Sequence, residues 1–161
     1  AIQLRKDQLE SQMVGVYHRL EESEQLASFS SVNTFSKARI IAETGPLKNF
    51  SDHNKLIRFA GLNLIERDSG TLNGQKRISK KGRIPLRKVL YQIVFTLIRK
   101  NGLFHNYYTS KGGKKQGHKV MVACMRNLLR IFLGVYRSKQ PYDLQRVFVC
   151  ESEYEFKESA A

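Results

Sequence analysis

The chain has 161 residues and a mass of 18.6 kDa, enough for one domain, or one domain with an appendage, that buries a core. Its 28 Lys and Arg against 14 Asp and Glu leave a formal net charge of +14 and a pI near 10.0, and a hydrophobic fraction of 41% with nine Phe and seven Tyr excludes wholesale disorder. The longest apolar run, 89–98, is ten residues and contains Gln92 and Thr96, so nothing spans a bilayer and no membrane partner is expected.

The charged first ten residues do not read as a signal peptide. Beginning at Ala1 without an initiator Met, the chain is expected to be a fragment of a longer protein. Residues 1–27 read as one helix with a heptad pattern. Ile2, Leu9, Val16 and Ser23 fall at a positions and Lys6, Met13, Leu20 and Ala27 at d, so six of eight are apolar. A coiled-coil arm and an amphipathic helix packed on its own domain both fit that pattern. After a polar break at 28–33, a second helix is expected over Thr34–Thr44, stopped by Gly45-Pro46. A third, reaching Phe59 or Ala60, takes Ser51 as its N-cap.

Residues 61–81 are rich in turn chemistry, with Asp68-Ser69-Gly70, Asn73 and Gly74, and a small hairpin can pair Leu64-Ile65-Glu66 with Lys76-Arg77-Ile78. Pro85 suits the first turn of a strong helix running to Lys100, whose Leu86, Val89, Leu90, Ile93, Val94, Leu97 and Ile98 form one buried stripe. Asn101-Gly102 ends it, a short aromatic helix follows over 103–108, and 110–117 reads as a mobile glycine-rich loop. In the last long helix, 118–137, Lys119, Arg126, Arg130 and Arg137 share one face, opposite Met121, Cys124, Leu128, Ile131, Phe132 and Val135. An extended piece is expected over 146–150, within an acidic tail, 144–161. The fold class is therefore mainly α: a long N-terminal helix (1–27), a helical domain (28–143) with a glycine-rich basic central loop, and the tail.

Charge is distributed unevenly. From Ser69 to Tyr142 the sequence carries 17 Lys and Arg and no Asp or Glu, whereas the flanks are close to neutral. That is an electrostatic footprint for a polyanion, since solubility alone requires only a modest charge of mixed sign. The candidate nucleic-acid contacts are Lys76, Arg77, Lys80, Lys81, Arg83, Arg87, Lys88, Lys111, Lys114, Lys115, Lys119, Arg126, Arg130 and Arg137. Metal ligands are not expected: His18, His53, His105 and His118 are scattered, and Cys124 and Cys150 make neither a zinc set nor a disulfide framework, which suits a reducing compartment. The segment Lys111-Gly112-Gly113-Lys114-Lys115 lacks phosphate-loop spacing and follows no strand. Among nucleophiles, Ser69 in Ser69-Gly70 reads on its own as a turn residue, and Tyr107-Tyr108 suits packing or base stacking better than recombinase chemistry.

Four motifs in one order change that weighting. Phe59-Ala60-Gly61-Leu62, Asp68-Ser69-Gly70-Thr71, Arg77-Ile78-Ser79-Lys80-Lys81-Gly82 and Leu86-Arg87-Lys88-Val89-Leu90-Tyr91 resemble the C-terminal transposase domain of the insertion-sequence "one-ten" family, serine transposases related to the Piv and MooV DNA invertases. Residues 38–50 are similar to the helix entering that domain, and Lys119–Ile131 with Pro141-Tyr142-Asp143 to its last helix. The resemblance implies that Ser69 attacks a DNA phosphodiester to form a transient phosphoserine link. It implies Mg²⁺ bound by four carboxylates of a RuvC-like domain that these residues do not contain. It also implies donor and target DNA, a structured bridge RNA as guide, a homo-oligomer (dimer or tetramer), and a bacterial cytoplasmic location. Glu66 and Asp68 can orient Ser69 or simply make the turn. Where the family has Ile-Pro-Gly-Ile-Gly, this chain has Phe29-Ser30-Ser31-Val32-Asn33, and its Gly82 is followed by Arg83 rather than Asn. As given, the chain is expected to bind nucleic acid and to be catalytically incomplete. The alternatives from other classes are a non-catalytic basic RNA- or DNA-binding module and an assembly domain driven by residues 1–27.

Overall fold

A computed structural model of the chain describes residues 2–66 and 76–143. Among these the fold is mainly helical. Its order is α1 (Ile2–Tyr17), α2 (Glu21–Gln25), α3 (Thr34–Thr44), a 3-10 turn (Leu47–Asn49), α4 (His53–Ala60), β1 (Leu64–Glu66), β2 (Lys76–Ile78), α5 (Ile84–Lys100), α6 (Gly102–Ser110), α7 (Gly113–Gln116) and α8 (His118–Ser138). The strands pair antiparallel with Leu64 opposite Ile78, Ile65 opposite Arg77 and Glu66 opposite Lys76, the register expected from the sequence.

The α5 helix is central. Leu86, Val89, Leu90, Ile93, Val94 and Leu97 are buried along it, and it packs against α3, α6 and α8. The apolar side of α8 completes the core, with Cys124, Leu128, Leu129 and Phe132 fully buried. Phe29 meets the Phe132 ring edge-on at 6.5 Å and the Tyr142 ring at 4.6 Å. Each helix start has an identifiable partner where the sequence supplies one. Asn33 accepts from Ser36 N–H at 2.8 Å, and Asn101, which ends α5, also caps α6 by accepting from Leu103 N–H at 3.0 Å.

Three local expectations are corrected. The helix expected over 1–27 ends at Tyr17, turns through 18–20 and restarts as α2. Tyr17 and Leu26 are both buried, yet nine residues apart they would lie on opposite faces of a straight helix, so burying both forces a break. The cap of α4 is Asp52 rather than Ser51: Asp52 Oδ1 accepts from Asn54 N–H at 2.7 Å and Lys55 N–H at 3.0 Å. A carboxylate there also meets the positive end of the helix, and these backbone bonds, Lys55's first, hold its carboxyl below its usual value. The glycine-rich stretch 110–117 is not simply a loop. Gly112, Gly113 and Gly117 take left-handed backbone angles (φ 97°, 48° and 48°) around the single helical turn α7. The extended piece expected over 146–150 and the acidic tail lie outside the described residues.

The turn at Phe29-Ser30-Ser31-Val32-Asn33 serves packing: Phe29 and Val32 are buried, and Ser31 Oγ accepts from the Asn101 amide at 3.1 Å. Two buried charges tie this end of the molecule together. Lys37 Nζ donates to the Leu26 carbonyl at 2.7 Å, and burial lowers its pKa. Glu22 Oε1 accepts from Leu47 N–H at 3.1 Å, and burial together with the Glu22 charge pushes the Tyr17 hydroxyl up to about 12. Removing Glu22 orphans a buried amide. Glu22→Ala is expected to lower unfolding free energy by about 1–3 kcal/mol in urea titrations, and Glu22→Gln, which keeps the acceptor, by clearly less.

Candidate nucleic-acid interface

The β1–β2 hairpin carries residues 67–75, among them Ser69, which lie outside the described residues. What the structure defines is how the two ends of that segment are held. Gly61 closes α4 in the left-handed region (φ 71°), and its backbone runs against that of Gly82. A Cβ on Gly82 would come within 2.6 Å of the Phe59 carbonyl oxygen, so only glycine permits the approach. Ser79 N–H donates to Asn63 O at 2.8 Å and Ser79 Oγ to Asn63 Oδ1 at 2.6 Å. Lys80 N–H donates to Gly61 O at 3.1 Å and Arg83 N–H to Phe59 O at 2.9 Å. Arg87 Nη1 then donates to Ala60 O at 2.9 Å and to Gly82 O at 3.1 Å. Both stems are thereby fixed to the start of α5.

The cationic candidates divide by what they touch. Arg77, Lys80, Lys81 and Lys88 around the hairpin, Lys114 and Lys115 on α7, and Lys119 on α8 reach solvent. Lys80 is one of two described non-glycine residues with positive φ (55°), a turn conformation that carries the chain back toward Gly61. Arg83 pairs with Glu43 at 2.6 Å and Arg87 serves the hairpin base, so these two hold the fold. Lys111 lies over the Tyr107 ring at 5.8 Å. The side chain of Lys76 lies outside the described set.

On α8 the basic side is less open than a helix projection suggests, because α4 packs along it. Arg126 and Arg130 are half-buried, and Arg137 donates to the Phe50 carbonyl. His53, at the start of α4, registers this field. Partial loss of solvent and the charges of Arg130, Arg137 and Arg126 lower its pKa, with Asp52 opposing. Local spacing does not reveal its position in the arginine field, which depends on α4 lying against α8. The folded state disfavours the charged imidazole, so His53 contributes stability that is present above its ordinary value of 6.5 and is lost as pH falls through its lowered folded pKa. Replacing it by Asn is therefore expected to flatten the decline of unfolding free energy between about pH 7 and about pH 5 in denaturant titrations.

The described residues hold no group of three or more His, Cys, Asp or Glu able to bind a metal, and no helix among them is long and apolar enough to cross a membrane. Around the described ends of the hairpin, Arg77, Lys80, Lys81 and Lys88 present positive charge to solvent, which suits a polyanion. Residues 23–109, more than half of the chain, match the family model described as Transposase IS116/IS110/IS902 family, and the chain belongs to that family. Membership makes it a transposase domain with DNA as its substrate class. No curated protein matches the chain.

Proposed function

We propose that this chain is the serine-bearing domain of the transposase, with Ser69 the nucleophile of DNA strand transfer. The observation that carries the reading is the family match across 23–109, which spans the Asp68-Ser69-Gly70-Thr71 motif and both stems of the hairpin. In this reading Ser69 Oγ attacks a backbone phosphorus. A Ser–O–P bond forms, one phosphodiester P–O bond breaks, and a deoxyribose hydroxyl departs with a proton. Phosphoester energy is conserved, so a second hydroxyl can reverse the exchange on another strand. Arg77, Lys80 and Lys81, next to the stems, supply positive charge where the transferring phosphate gathers negative charge.

The described residues do not fit a Mg²⁺ site. The proposal places it on carboxylates outside these residues. It likewise assigns a structured RNA guide to the cationic surface. The exposed apolar side of α1, where Leu9 is 58% and Val16 51% exposed, is assigned to association of copies.

Ser69→Ala in the full-length transposase is expected to abolish recombination and the covalent protein–DNA adduct while leaving DNA affinity within about twofold. Recombination retained by that variant would refute the nucleophile and favour a non-catalytic binding module. Lys80→Gln with Lys81→Gln is expected to weaken duplex binding regardless of sequence. The slope of log affinity against log salt should fall by about 2, near 0.9 for each phosphate no longer neutralised. An unchanged slope would remove these residues from the interface.

A further inference from the structure

One exposed face is built differently from the lysine-rich surface. On α3, Phe35 and Arg39 stand one turn apart, with the guanidinium 5.7 Å from the ring centroid. On α5 the same spacing recurs: Arg99 lies over the Phe95 ring, also at 5.7 Å. The two helices are joined across this face by Arg39 Nη2, which donates to Gln92 Oε1 at 2.8 Å. Lys88, Tyr91, Gln92, Phe95 and Arg99 lie on the side of α5 away from its buried stripe, most of them at three- and four-residue steps. Phe95 is 49% and Tyr91 41% exposed, and the Tyr91 ring sits 6.4 Å from that of His118 at the start of α8.

Tyr91 and Phe95, one turn apart on the solvent side of α5, are rings that the core does not cover. Their surroundings point to a ligand that has both π-faces and negative charge. Arginines flank the rings, Gln92 offers an amide, and α5 contains no carboxylate. The α3 carboxylate at this margin, Glu43, is bonded to Arg83. Charge complementarity therefore selects a polyanion and opposes pairing of this face with the same basic face of a second copy. The rings select further. Base faces are covered in a duplex and available in an unpaired strand, where stacking on aromatic side chains and guanidinium planes is sequence-tolerant.

We propose that the α3–α5 face formed by Phe35, Arg39, Tyr91, Gln92, Phe95 and Arg99 is a stacking platform for an unpaired nucleic-acid strand. It holds whether or not Ser69 is the nucleophile. Bases lie on Phe95 and Tyr91, their phosphates meet Arg39, Arg99 and Lys88, and Gln92 reaches base edges.

The test compares the full chain with Phe95→Ala, Tyr91→Ala and Phe95→Tyr. Anisotropy is measured on labelled oligothymidylate, oligouridylate and a duplex of equal length, each about 20 nucleotides, at one salt concentration. Each Ala variant is expected to lose about tenfold in affinity for the single strands and less than twofold for the duplex, while Phe95→Tyr retains wild-type binding. The single strand with the larger loss identifies the platform's preferred ligand, DNA or RNA. The proposal is overturned if the wild-type chain binds neither single strand, if both Ala variants bind them unchanged, or if duplex affinity falls in parallel. Arg99→Gln, which leaves both rings in place, guards against misfolding: it is expected to weaken single-strand binding several-fold, and no effect from it counts against the platform.

Discussion

The close approach of the Gly61 and Gly82 backbones fixes the base of the β1–β2 hairpin against the helical core. Two chain ends that would otherwise diverge after α4 and before α5 are brought together where no Cβ can intervene, and Arg87 ties both sides by donating to Ala60 and Gly82 carbonyls. A three-residue hairpin is too short to be stable alone in water. Here its base is held to α5, whose buried stripe anchors it to α3, α6 and α8. Both strands of the hairpin are thus held to the helical core at their described ends.

Positive charge does two kinds of work in this chain, and what each side chain bonds decides which. Arg83, Arg87 and Arg137 direct donors to Glu43, to the hairpin base and to the Phe50 carbonyl. Lys37, buried, donates to the carbonyl of Leu26. Lys80, Lys81, Lys114, Lys115 and Lys119 reach solvent, where they can release counterions from a nucleic-acid backbone. The chain's excess of cations is therefore partly structural. Arginine, with several donors in a planar fork, fills the structural role in these cases, while the solvent-facing positions are mostly lysines.

Much of the architecture could be read directly from spacing and punctuation. The limits of α3 follow from Asn33 and Gly45-Pro46, the α5 stripe from its three- and four-residue repeats, and the hairpin register from turn residues between two short apolar-containing runs. The family was legible too, because four motifs stand in a fixed order. Local rules failed where distant contacts took over. Periodicity alone runs one helix through residue 27, yet Tyr17 and Leu26 must both reach the core. Ser51 has cap chemistry, but Asp52 stands where it can reach two amides. The glycines at 112, 113 and 117 suggest mobility, but in the left-handed region they close a helical turn.

The sequence by itself determined the helical class, the family and the acid-free basic tract, because these depend on residue types and their order. The tertiary structure alone decided which cations remain in solvent, that α4 covers part of the α8 arginine stripe, and that two Phe–Arg pairs from helices far apart in sequence share one face. Those outcomes follow from helix packing, which selects neighbours by the fit of whole surfaces and leaves no trace in local spacing.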